Sequence, residues 1–181
     1  MTLKNSAVVD FEQRTFSVCD LVSLRFVGPC LWKNEDVDDE TSRGSIFRAF
    51  EEGEDGHYRN VAAITVVDAT DDPAEPDVSS LEPADVPALD RLLHEQTRAQ
   101  LEARGSEVIT WMSSQLNSVG DFKGLVTIYV YADQGETQKA ITVRIKAKGR
   151  KVVVLGQFDI ARQESMAVPI IDVMRTMIVL P

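Results

Sequence analysis

Polar and apolar residues alternate most regularly in the last third of the chain. Residues 139–147 place Ile141, Val143 and Ile145 on one side and Thr142, Arg144 and Lys146 on the other. A period of two is a strand with one covered face. The run 125–131 is β-branched and aromatic on both sides, with Val126, Ile128 and Val130 opposite Tyr129 and Tyr131, which suits a central strand. Val152, Val153, Val154 and Leu155 form an uninterrupted apolar run. The turns Asp133-Gln134-Gly135 and Lys148-Gly149-Arg150 join these runs, so the three strands are sequential antiparallel neighbours. A helix is predicted over 166–177, where Met166, Ile170, Val173, Met174 and Met177 fall in one stripe. Pro169 then belongs in its first turn. Ile141, Val143 and Ile145 are expected to be buried, and Arg144 and Lys146 exposed.

Earlier in the chain the pattern is less regular. Residues 15–27 read as one or two short strands, with Phe16, Val18, Leu24, Phe26 and Val27 as core candidates. Gly28-Pro29 breaks them, and Leu31-Trp32 follows. Residues 35–43 read as a charged loop, 45–50 as a strand, 51–56 as an acidic turn and 61–67 as a strand. Residues 68–83 hold three prolines and many acids and read as an exposed connection. Asp85 is a candidate N-cap, with Pro87 in the first turn of a helix that runs to about Arg104 and stops at Gly105. Its inward face is expected to be Leu89, Leu92, Leu93, Gln96 and Ala99. Residues 107–116 read as a strand carrying Val108, Ile109, Trp111 and Leu116, and 117–124 as a loop. Runs of strands with one long helix between them predict an α+β fold, an antiparallel sheet with two main helices packed on it. The 181 residues fit a single domain, 1–181, with an acidic loop insertion at about 68–84.

Charge adds one feature. Residues 35–90 hold 17 acidic and 3 basic side chains, a net of −14 in a chain whose total is −10. Phosphate contacts need clustered cations, so nucleic acid is not the expected partner. No apolar run approaches the about 20 residues of a membrane span. The first residues show no basic then apolar leader pattern, so the expectation is a cytoplasmic protein with no membrane contact. A basic protein partner fits the acidity, and a homodimer is left open. The basic residues Lys139, Arg144, Lys146, Lys148, Arg150 and Lys151 gather on the polar face and turns of the meander. They read either as a solvated sheet face or as the side that meets the chain's own acidic segment or an acidic partner.

Candidate chemistry is sparse. His57 and His94 have no second ligand at a metal spacing and read as surface histidines. The acids from Asp36 resemble a calcium loop, but Thr41 stands where the turn glycine belongs and Phe47 where the bidentate Glu belongs. Cys19 and Cys30 read as small buried side chains, with a hairpin disulfide as the alternative. Ser113-Ser114 lies in no nucleophile-elbow pattern, and no phosphate loop is present. The expectation is a non-enzyme with no cofactor and no metal.

The layout is similar to the PsbP-like fold, which also includes the DcrB family and a yeast Ran-binding protein. The likeness is carried by the helix 85–104, the strand 107–116, the meander 125–131, 140–147 and 151–157, and the helix 166–177, and it spans about 16–179. The resemblance implies a binding protein without catalytic residues. Cytoplasmic bacterial members include small adaptors and chaperones that hold type VI secretion effectors. An acidic single domain also looks like a toxin-neutralising immunity protein. The function so implied is a non-enzymatic protein-binding module for a secreted toxin or effector. The alternatives are a scaffolding subunit of a larger complex and an enzyme of unrecognised chemistry. Acidic loops on a rigid scaffold then form the partner surface: Asp36, Asp38, Asp39, Glu51, Glu52, Asp71 and Asp72.

Overall fold

The computed structural model describes residues 7–8, 15–18, 20–26, 31–38, 43–120 and 122–179. Cys19, Cys30, Asp39 and the 27–30 break lie outside them. The elements are β1 (Ala7–Val8), β2 (Thr15–Val18), β3 (Val22–Arg25), β4 (Leu31–Asp38), β5 (Arg43–Glu52), β6 (Tyr58–Asp68), α1 (Val86–Glu102), β7 (Glu107–Val119), β8 (Phe122–Asp133), β9 (Glu136–Ala147), β10 (Arg150–Asp159), a 3-10 turn (Ile160–Arg162), α2 (Gln163–Arg175) and β11 (Ile178–Val179). The fold is α+β. One antiparallel sheet runs β1-β4-β5-β6-β10-β9-β8-β7, and a small one runs β11-β3-β2.

Each face of the large sheet has its own cover. Ile141, Val143 and Ile145 of β9 point to one face with Val152, Val154 and Phe158 of β10 and Ile64 and Val66 of β6, and all are buried. On this face lie α2 and the small sheet, through Met166, Ile170, Val173, Met174 and Met177, and through Val18, Val22, Leu24 and Phe26. Burying each such side chain stabilises the fold by roughly 1.5–3 kcal/mol. The opposite face carries Leu125, Tyr129 and Tyr131 of β8 and Ala140 of β9, covered at one side by α1 through Leu93 and Leu101.

Helix α2 sits unusually close to β10. A Cβ built on Gly156 would come within 2.5 Å of the Ile170 side chain and 2.8 Å of the Met174 side chain. Only a hydrogen fits there, so Gly156 fixes α2 over β10. The α2 stripe reads as expected, but the helix begins before Met166. Pro169 therefore lies inside it rather than in the first turn.

Several elements are longer than their hydrophobic signal. Glu35, Asp36 and Asp38 belong to β4, paired with β5, and not to a charged loop. Glu51 and Glu52 complete β5, and the turn is confined to the residues that follow. Strand β7 continues to Val119, which leaves only a short turn where a loop was expected. Cross-strand hydrogen bonds extend these strands past the point where alternation fails. In α1, Leu93 is buried as expected, whereas Leu92 is 46% exposed and Ala99 is also exposed. Leu101, two turns after Leu93, takes the inward position. The helix ends at Glu102, and Gly105, with φ +80°, turns the chain so that Ser106 N–H bonds to the Leu101 carbonyl.

Gly156→Val is expected to destabilise the protein by about 1–3 kcal/mol, because α2 has to move off β10. Gly149→Asn, in an open turn with φ +79°, serves as the control and should change little. Urea unfolding midpoints of both variants check this; a Gly156→Val midpoint equal to wild type would refute the close approach.

Candidate functional site

The acids singled out as one partner surface fall into two groups. Asp36 and Asp38 lie toward the end of β4, opposite Ser45 and Arg43, and Ser45 Oγ donates to Asp36 at 3.3 Å. Asp71 and Asp72 follow β6 at that same end of the sheet, where Asp72 accepts from Ala74 N at 2.8 Å. Glu51 and Glu52 stand at the other end of the ten-residue β5, about 20–30 Å away. There Glu51 pairs with Arg162 at 2.5 Å. The described ones among them do not form one continuous cluster.

The connection after β6 is exposed over most of its length, as expected, but it is pinned to the sheet at several points. Asp68 is buried at the end of β6 and pairs with Arg150, and Val78 is 2% exposed. The segment lies across the basic face of the meander as a strap. Glu75 meets Arg144 at 2.7 Å, with both side chains nearly buried. Asp77 meets Lys146 at 2.5 Å, and Lys151 Nζ donates to the Asp72 and Glu75 carbonyls at 2.6 and 2.8 Å. Lys123 Nζ reaches the Leu81 carbonyl at 2.9 Å, and Val78 packs with Leu93 and Leu125. The basic face thus meets the chain's own acidic segment, and Arg144 is covered rather than exposed. The Lys146 bond holds the Asp77 carboxyl well below its usual range. Burial pushes the Glu75 carboxyl up, against the attraction of Arg144.

The strap continues into α1, which an aromatic stack ties to the sheet. His94 stacks on Trp111 with centroids 4.7 Å apart, Trp111 on Tyr129 at 5.5 Å, and Tyr129 meets Tyr131 at 5.9 Å. His94 is thus a half-buried side chain with one ring face packed on Trp111. Asp90 accepts from Trp111 Nε1 at 3.1 Å and from Ser114 N at 2.7 Å. Burial opposes the Asp90 charge, but these bonds outweigh it and hold the carboxyl below its usual range.

An apolar groove of about 320 Å³ opens on the other face, beside α2. Its walls are Val126, Ile128, Ile141, Val143, Ile171 and Met174, with Asn117, Ser118, Val119 and Arg175 completing the lining. The groove exists because α2 is held over β10, so the flank of β8 is left without a helix above it. Val126, Ile128 and Ile171 are only half-buried, and Met112, opposite Ile128 on the sheet-edge strand β7, is 48% exposed. The periodicity of β8 already marked Val126 and Ile128 as one apolar face. Their incomplete cover depends on where α2 lands, which no local pattern encodes. Among the described residues no group of three His, Cys, Asp or Glu side chains is placed to hold a metal ion, and no helix is long and apolar enough to cross a membrane.

Removing one partner of a buried ion pair strands the other, so Arg144→Ala is expected to cost about 3 kcal/mol and to speed amide exchange in the strap. Glu75 is held above its ordinary value of 4.5, so its contribution is complete below about pH 4.5 and is lost as pH rises through the raised value. Glu75→Gln should remove that part of the pH dependence. Exchange mass spectrometry and pH-dependent unfolding check both; a strap that exchanges at the wild-type rate in Arg144→Ala would refute the latch.

No protein-family model matches the sequence, and no curated protein matches it. Two solved structures are similar in shape. One is PA94 from Pseudomonas aeruginosa, a protein of unknown function and suggested regulator, with 13% identity, a TM-score of 0.48, and coverage of 92% of this chain and 96% of that one. The other is LpqN from Mycobacterium tuberculosis, involved in cell envelope biogenesis, with 10% identity, a TM-score of 0.40, and coverage of 88% and 91%. Likenesses of this degree carry no functional argument.

Proposed function

We propose that this protein is a non-enzymatic binding module of PsbP-like type that holds a secreted toxin or effector. The observation that carries the reading is the apolar groove beside α2. Half-buried Val126, Ile128 and Ile171 surround about 320 Å³ of space, and exposed Met112 continues the apolar surface onto β7. Apolar surface left open on a rigid sheet-and-helix frame marks an interaction site. Holding an apolar segment of a client is the work of a chaperone. That supports the chaperone over the immunity form of the reading, because masking a basic cleft calls for acids gathered on one surface. Here they are split between two ends of β5. The acids still favour encounter with a basic partner by long-range attraction. A scaffolding subunit and an enzyme remain the competing classes.

The test is capture of the tagged protein from its own cells, identification of a bound secreted protein by mass spectrometry, and co-expression of the two. A stoichiometric complex is expected on size exclusion. Ile171→Glu, which places a charge at the groove wall, should weaken it by about tenfold or more. Charge reversal of Asp71 and Asp72 should slow association and leave dissociation unchanged. Loss of affinity in the acid variant alone would instead support the immunity form, and the absence of any complex would remove the reading.

A further inference from the structure

The two edges of the large sheet end differently. One closes with β1, which is two residues long and pairs with β4. The other is β7, the longest strand at 13 residues, which pairs with β8 and has no strand on its outer side. Among the described residues, the one backbone group of β7 that bonds outside the ladder is Ser114 N–H, taken by Asp90 on α1 at 2.7 Å. The outer side of β7 therefore presents N–H and C=O groups that no other strand meets.

Natural proteins blunt a long exposed edge with lysines or prolines, because an unblunted edge accepts another strand. Strand β7 lacks both. From Val108 to Gly120 the sequence holds no Asp, Glu, Lys, Arg or Pro, the longest uncharged run in a chain with 27% charged residues. Burial does not account for this, since Thr110, Gln115, Asn117 and Ser118 are all exposed. Ile109 is 55% exposed and Met112 48% on the same strand. Bulges at Ile109 and at Ser113-Ser114 bend part of the edge, but residues 115–119 stay in unbroken register with β8.

Charge and hydrogen bonding decide what such an edge meets. The chain carries a net charge of −10, so two copies repel over most of their surface and least along β7. A basic partner finds no acid on the strand, and an acidic partner finds no base. A strand edge alternates donors and acceptors, so it matches a like edge that runs antiparallel to it. A twofold interface requires a patch that complements itself, and an uncharged edge does so. At about 3.3 Å per residue the run is roughly 40 Å long.

We infer that β7 pairs antiparallel with β7 of a second copy of this chain, which joins the two large sheets into one across a twofold axis. Antiparallel pairing sets that axis normal to the sheet, so the α2 grooves of both copies open on the same face. The inference does not depend on what the groove holds.

The full chain is weighed by sedimentation equilibrium over a wide concentration range. A mass of twice 20.1 kDa is expected, approached as concentration rises. The variant Thr110→Lys, Gln115→Lys brings like charges together across the axis and should weaken the dimer about tenfold or more. Thr110→Asp, Gln115→Asp should do the same. Mixing the two variants should restore a dimer with one copy of each, seen by native mass spectrometry, which unfolded variants would not form. Amide exchange over 115–119 should slow as wild-type concentration rises and stay fast in the lysine variant. Ile171→Glu, in the groove, should leave the dimer intact, so a lost client and a lost dimer are separate results. A monomer at every concentration, a dimer that survives the lysine variant, or charged variants that do not recombine overturns the pairing.

Discussion

Strand β8 carries apolar side chains on both of its faces, and Ala140 of β9 and Leu155 of β10 extend the second one, so the sheet has to be covered twice. One cover is the α2 stripe with the small sheet β11-β3-β2; the other is α1 together with the strap that leads into it. Most of the molecule follows from this requirement. The strap crosses the meander because Leu125 has to be covered, which Val78 does, and Glu75 then pairs with the Arg144 that the strap covers as well. Gly156 is a glycine because the α2 cover is pressed against β10 at that point.

The strap also changes what the acidity of the middle segment means. Asp68, Glu75 and Asp77 neutralise Arg150, Arg144 and Lys146 within the chain. Burial raises Glu75 despite its cationic partner, so the pair fixes where the strap lies more than it adds to stability. A solvated acidic loop would steer a basic partner by its full charge. This one has spent part of that charge on its own sheet, and the acids left over are divided between the two ends of β5.

Two surfaces remain incompletely satisfied, and they differ in kind. The groove beside α2 is apolar and arises from geometry, since a helix held over β10 cannot also cover β8. The outer edge of β7 is polar backbone without charge and arises from sheet order, since β7 pairs with β8 alone. Each departs from the rule of local satisfaction that the rest of the sheet obeys, and such departures are where binding is sought.

The sequence by itself determined the class of fold and the buried faces of its best strands. Ile141, Val143 and Ile145 alternate with polar residues, and the α2 stripe repeats at helical spacing. Both patterns are local, set by the pleat and by the helical turn. Strand ends were less legible: Glu35, Asp36, Glu51 and Glu52 look like loop residues, and only hydrogen bonds to a distant strand hold them extended. The candidate sites were least legible of all. The uncharged run from Val108 is plain in the sequence, but only sheet order puts it on a free edge, and Ile171 faces Val126 only because α2 docks where Gly156 admits it. The fate of the acidic segment was likewise a tertiary decision. Charge counts are local, whereas the pairing of Glu75 with Arg144 spans 69 residues and depends on the register that sets Arg144 beside Leu125 under the strap.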